Sequence, residues 1–159
     1  MNADETKILV IGYGNTLRRD DGVGVKIAEA VAAMDLPGVT VITRHQLAPE
    51  LAVPISEADA VVFVDAEVKA SEPIKLRMIK PAETVGRILA HAADPRSLLA
   101  LAKEVFGRNP IAWTLGVPVE DFNFGDGFSS RAEKGFQDAL KQIRGLIQNK
   151  FCETVANAG

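Results

Sequence analysis

Residues 60–65 read AVVFVD, five apolar side chains closed by a carboxylate. A short strand that is apolar on both faces needs both faces covered, which places it in the middle of a sheet between layers of helices. A second run, ILVIGY at residues 8–13, ends in Gly12 and Gly14, as a buried strand entering a tight turn does. Two such strands demand a substantial core. At about 150 residues per domain, the 159 residues make one domain, residues 1–159.

The stretches between these runs supply the covering helices. Residues 22–34 place Ile27, Ala28, Val31 and Met34 on one helical face. Residues 39–45 predict a second strand, and Pro49 suits the first turn of a short helix. Residues 74–80, IKLRMIK, alternate and carry three cations, the pattern of an edge strand or one with a wet face. Asp94-Pro95 is a helix start that runs to Phe106 and stops at Gly107, and residues 111–117 form the last strand. After the Gly-rich loop 120–129, Ser130 and Glu133 predict a capping box for a helix with Phe136, Leu140, Ile143 and Ile147 on one face. Residues 152–159 are expected to be a disordered tail. Strands alternating with helices predict an α/β fold: a three-layer αβα sandwich on about five mostly parallel strands, with helices on both faces.

Charge and composition narrow the function classes. Acidic residues outnumber basic ones by 21 to 18, leaving no broad basic surface for nucleic acid. No apolar run approaches the roughly 18 residues of a membrane span. The single Cys152 suits a reducing cytosol, and the polar start MNADETK lacks the pattern of a secretion signal, so a cytoplasmic protein is expected. Two His and one Cys are few residues for a metal site built wholly by the protein.

The first loop, GYGNTLRRDDGVG at residues 12–24, has glycines between a strand and a helix. A dinucleotide fingerprint would need its third glycine at position 17, which is Leu17. The pair Asp20-Asp21 at a helix N-terminus would repel a phosphate and suit a cation. Either aspartate could instead cap the helix.

Asp65 closes the most apolar strand. Ligands of open α/β sheets bind beyond the carboxyl ends of the strands, which sets Asp65 beside the loop holding Asp20 and Asp21. A carboxylate there needs a partner. The following turn's backbone N–H groups or Lys69 could serve, or a cation shared with Asp21. His91, in ILAHAADPR, and His45, at the end of the second strand, could each complete a site of two carboxylates and one imidazole. That donor set suits nickel, zinc or iron better than calcium or magnesium.

In this order the residues resemble the hydrogenase maturation endopeptidases, which trim the C-terminal extension from the large subunit of nickel–iron hydrogenases. The resemblance spans ILVIGYGNTLRRDDGVG, HQLAPELA, FVDAEV, HAADPRSLLALAKEVFG, IAWTLGVPV and GDGFSSR, nearly the whole chain. It implies a phosphorylase/hydrolase-like α/β fold. It also implies that Asp21, Asp65 and His91 are the catalytic and metal-binding residues, with His45 in reserve. Gly12, Gly14, Asn15, Asp20 and His45 then belong to the surface that receives the substrate.

The resemblance further implies that nickel arrives bound to the large-subunit precursor, so that cleavage acts as a checkpoint on metal loading. It points to a monomer working on that protein partner, with no nucleic acid or membrane involved. Cys152 lies in the tail, and Ser129 and Ser130 suit capping, so neither residue type is the expected nucleophile. A metal-polarised carbonyl or an activated water, with Asp21 or Asp20 as base, is the expected chemistry. Two other classes use the same residues: a non-catalytic chaperone of the large subunit, and a small-molecule or nucleotide-binding module built on the Gly12–Gly14 turn.

Overall fold

The structure, a computed structural model, describes residues 6–70, 74–83 and 94–158. Five strands form one sheet: β1 (Ile8–Tyr13), β2 (Val39–Arg44), β3 (Ala60–Glu67), β4 (Arg77–Ile79) and β5 (Ile111–Pro118), in the order β2-β1-β3-β5-β4. The AVVFVD run sits at the centre, as its two apolar faces require. β1 is parallel to β2 and β3, and β3 is parallel to β5. Only β4, the cation-bearing segment, is antiparallel, and it lies at the edge. It is shorter than 74–80, pairing only through Arg77, Met78 and Ile79.

Alternation along each strand sorts the core into two layers. Ile8, Val10, Val62, Val64, Leu115 and Val117 face α1 (Val23–Ala33) and α4 (Ser130–Ala158). Leu9, Ile11, Val61, Phe63 and Ala112 face α2 (Ala52–Glu57) and α3 (Pro95–Phe106). Helices therefore cover both faces, giving the three layers expected. In α3 the Asp94 side chain accepts from the Arg96 N–H, and Gly107 ends the helix at φ +68°. No helix among the described residues is long and apolar enough to cross a membrane.

The start of α4 differs from expectation by one residue. Ser129, not Ser130, caps it: the Ser129 hydroxyl accepts from the Ala132 N–H at 3.2 Å. Ser129 is held in place by a second bond, described below, which Ser130 lacks the position to make. At the other end α4 continues to Ala158, through residues assigned to a tail; no Gly or Pro interrupts the chain between Gly145 and that point.

The strand after β1, β2, lies on one side of the β1/β3 pair, and the strands after β3, β4 and β5, lie on the other. The carboxyl ends of β1 and β3 are thus the switch point of the sheet, where a crevice opens. α1 is packed tightly against this point. A Cβ on Gly12 would lie 2.2 Å from the Gly24 carbonyl oxygen and 2.6 Å from the Ala28 Cβ. Gly12→Ala is therefore expected to destabilise the fold by about 3 kcal/mol. Urea unfolding should show a lower midpoint with an unchanged slope.

Candidate functional site

The loop after β1 carries the acidic pair into two opposite environments. Gly14 takes φ +143°, a conformation that favours glycine, and a Cβ there would lie 2.1 Å from the Asp21 carbonyl oxygen. This fold-back brings residues 19–22, one 3₁₀ turn, over the end of β1. Asp21 is half-buried, and its Oδ2 accepts from the Asn15 N–H at 3.0 Å. Asn15 Oδ1 in turn accepts from the Leu17 N–H at 2.9 Å. Neither aspartate caps α1 with its side chain; the N-cap is Gly22.

Asp20 is completely buried. Its Oδ2 accepts from the Glu120 N–H (3.0 Å), the Asp121 N–H (3.0 Å) and the Ser129 hydroxyl (2.6 Å), and its Oδ1 from the Ser129 N–H (2.8 Å). Burial pushes this carboxyl up, but the bonds from Glu120, Ser129 and Asp121 outweigh it and hold the group below its ordinary range. Arg19 reinforces the junction through an ion pair with Asp121. Asp20 was expected on the substrate-receiving surface. With no exposed surface and four donors on its two oxygens, it is a scaffold residue that ties the first loop to the start of α4.

Asp65 stands at the carboxyl end of β3. Its Oδ1 accepts from the Ala66 N–H at 2.8 Å, one of the partners foreseen for it. The Tyr13 side chain lines the same cleft as Asp65. Burial pushes the Asp65 carboxyl up to about 6; the Ala66 N–H and the nearby Tyr13 hydroxyl oppose this, and the charges of Asp21 and Glu67 add to it. The negative charge of Asp21, on the neighbouring loop, thus acts on Asp65.

A raised carboxyl pKa has a definite thermodynamic sign. The folded state holds this proton more tightly than the unfolded chain, whose value is near 3.8. The resulting stabilisation is fully present below about pH 4 and is lost as pH rises through about 6. Asp65→Asn removes the cost of the buried charge, so the variant should be more stable than the parent by roughly 1–2 kcal/mol at pH 8. That gain should vanish near pH 4, as read by thermal unfolding at the two pH values.

Asp65 opens into a cleft of about 290 Å³ on the α3 side of the sheet. Tyr13, Glu67, Arg77, Asp94 and Thr114 line it with Asp65. Gly116, the partner of Asp65 on β5, leaves room for the Glu67 side chain, whose Oε2 lies 1.7 Å from where a Cβ on Gly116 would be. Tyr13 is deeply desolvated. That burial, together with the negative charge of nearby Asp65, raises the phenol pKa so that it stays protonated at any working pH.

The remaining expected site residues are distributed as follows. His45 is exposed, directly after β2. β2 and β3 flank β1 on opposite sides, so His45 is separated from Asp65 by two strand spacings, about 10 Å, and does not line the cleft. Gly12 is buried beneath α1, where its lack of a Cβ admits the close approach of that helix. Gly14 and Asn15 shape the loop that carries Asp21. His91 lies outside the described residues; Asp94, three positions later in sequence, lines the cleft. Among the described residues, no three His, Cys, Asp or Glu side chains form a group that could hold a metal. Asp65, which opens into the cleft with the charge of Asp21 acting on it, can nonetheless supply part of the shell of a cation that brings its own ligands.

Sequence reasoning missed Tyr13, which reads as the last residue of an apolar strand. The strand's alternation does carry the signal: Leu9, Ile11 and Tyr13 share the face that bears Phe63 and Asp65 on the neighbouring strand.

No family model matches the chain. It is 27% identical to the hydrogenase 2 maturation protease of Escherichia coli (strain K12) over 156 residues, covering 94% of this chain and 95% of that protein. Two solved structures share the fold. One is the hydrogenase maturating endopeptidase HybD from E. coli, with TM-score 0.65, 22% identity, and 91% and 94% of the two chains covered. The other is the NiFe hydrogenase maturation protease HycI from Thermococcus kodakarensis KOD1, with TM-score 0.65, 25% identity, and 92% and 95% covered.

Proposed function

We propose that this chain, a homologue of the hydrogenase maturation proteases, is itself an endopeptidase of that kind. It removes the C-terminal extension of a nickel–iron hydrogenase large-subunit precursor that already carries nickel. The observation that carries this reading is Asp65, a desolvated carboxylate that opens into a cleft at the switch point and on which the charge of Asp21 acts. The full-length match to proteases of this activity supports it.

In this reading the nickel is part of the substrate. Asp21, Asp65 and His91 approach it with two carboxylates and an imidazole, while the precursor's own ligands complete the shell. The metal's charge stabilises both carboxylates in their ionised form, offsetting the burial that disfavours it at Asp65. Binding nickel next to the scissile bond positions that bond, and the cation can polarise its carbonyl or a water. Water adds across the amide, its oxygen to the carbonyl carbon and a proton to the leaving nitrogen. In this reading Asp21 takes the proton from that water. Asp20 is not available as a base, because it is completely buried and tied by four donors to Glu120, Asp121 and Ser129. The protein works in the cytoplasm, in keeping with its lone Cys152, and as a monomer.

The test is the intact mass of a nickel-loaded precursor before and after incubation with this protein. Cleavage lowers the mass by that of the C-terminal extension and releases one peptide. An unchanged mass, with the precursor shown to hold nickel, contradicts the proposal.

A further inference from the structure

We propose that the outer edge of β2 is the docking strip for the precursor's C-terminal extension, which pairs with it as an added antiparallel strand. This rests on the reading above, in which the chain cuts that precursor. β2 is an end strand of the sheet, with β1 on one side only. The Ile8 N–H donates to the Gly38 carbonyl at 2.8 Å, and the Gly14 N–H to the Arg44 carbonyl at 3.1 Å. In the parallel register Ile8↔Val39, these bonds turn the backbone groups of Thr40, Ile42 and Arg44 toward β1. Those of Val39, Val41 and Thr43 therefore point outward, off the sheet.

Two of the outward groups are already used. The Val39 N–H donates to the Leu36 carbonyl at 3.3 Å, and the Arg44 guanidinium donates to the Thr43 carbonyl at 2.8 Å. The Val39 carbonyl, both groups of Val41 and the Thr43 N–H make no hydrogen bond among the described residues. Sheet edges are commonly guarded by Lys, Pro or a bulge; residues 39–43, VTVIT, carry none of these. Donors and acceptors spaced in this way fit one class of ligand, an extended backbone. An antiparallel segment would exchange both bonds of Val41 with one residue, and reach Val39 and Thr43 with the residues two positions to either side. Continuity with the site makes that segment the extension: the Gly14–Arg44 bond joins the end of β2 to the loop that carries Asp21. A chain leaving the scissile bond at the switch point crosses roughly 14 Å, about four extended residues, to reach the strip. It then runs back from Thr43 toward Val39, antiparallel to β2.

Val41→Pro deletes the outward N–H and spares the ladder to β1, because Pro is tolerated where the N–H faces off a sheet edge. Val41→Ala loses the Val packing as well but keeps the N–H. In steady-state processing of nickel-loaded precursor, Val41→Pro should raise KM about 5–30-fold with kcat changed less than about threefold. Val41→Ala should keep KM within about twofold of the parent. An equal KM rise in both variants, or none in either, overturns the proposal. So does a parent dimer in sedimentation that Val41→Pro breaks up without a change in KM, because the edge would then belong to a second copy. If Val41→Pro does not fold, a synthetic peptide of the extension decides with the parent protein, used as an inhibitor of processing. N-methylation of one alternate set of its residues should weaken inhibition about tenfold, and methylation of the other set should leave it unchanged. Equal effects of the two sets, or no inhibition by the unmethylated peptide, overturn the proposal. Parent protein that never cuts the precursor overturns the protease reading, and this proposal with it.

Discussion

Asp21→Asn should abolish processing of the nickel-loaded precursor, with a loss of more than about 100-fold, and leave the unfolding curve almost unmoved. Asn keeps the size of the side chain and a carbonyl oxygen that can accept from the Asn15 N–H. The loss of charge at this half-buried position costs the fold less than about 1 kcal/mol. What disappears is the anion. A neutral amide is a poor ligand for a divalent cation and no base for a water, so recognition and proton transfer fail together. Precursor processing followed by gel shift or mass, beside a melting curve, separates the two effects. Normal processing with a large loss of stability would assign Asp21 to the scaffold instead.

Its neighbour should behave in the opposite way. Asp20→Ala leaves the N–H groups of Glu120, Asp121 and Ser129 and the Ser129 hydroxyl facing a buried void. Losing one side of a buried charged cluster costs roughly 3–5 kcal/mol. In a domain of this size that lowers the melting temperature by roughly 6–20 °C. The effect is pH-dependent with a fixed sign. The folded carboxyl lies below its ordinary 3.8, so its stabilisation is complete above about pH 4 and is lost as pH falls through the folded value. The parent and the alanine variant should therefore converge in stability under acid conditions. A variant that melts like the parent at pH 7 would mean that the four bonds contribute nothing net.

The two adjacent aspartates illustrate what a sequence reveals and what it conceals. That an acidic pair follows β1 is plain from the residues, as is the carboxylate closing the central strand. Both follow from local pattern: apolar runs set the strands, and the carboxyl ends of strands set the crevice. Which aspartate turns inward depends on partners about 100 residues away, at Glu120, Asp121 and Ser129, and no local pattern reports that. Ser130 was displaced from its expected capping role by Ser129 for the same reason. Two serines in sequence can each start a helix, and the bond to Asp20 selects the first. His45 looked usable because its strand ends at the right edge of the sheet. The strand order, with β1 between β2 and β3, puts it too far to one side. Tyr13 was hidden because an aromatic in an apolar run reads as core, although the two-residue period would have set it beside Asp65.

The central claim is that Asp21 and Asp65 read nickel on the substrate. The most direct measurement compares one precursor in two states, nickel-loaded and stripped of nickel by a chelator, each incubated with this protein and followed by intact mass. The account predicts release of the C-terminal peptide from the loaded precursor and an unchanged mass for the stripped one, with cleavage restored when nickel is returned. Equal cleavage of both would contradict it.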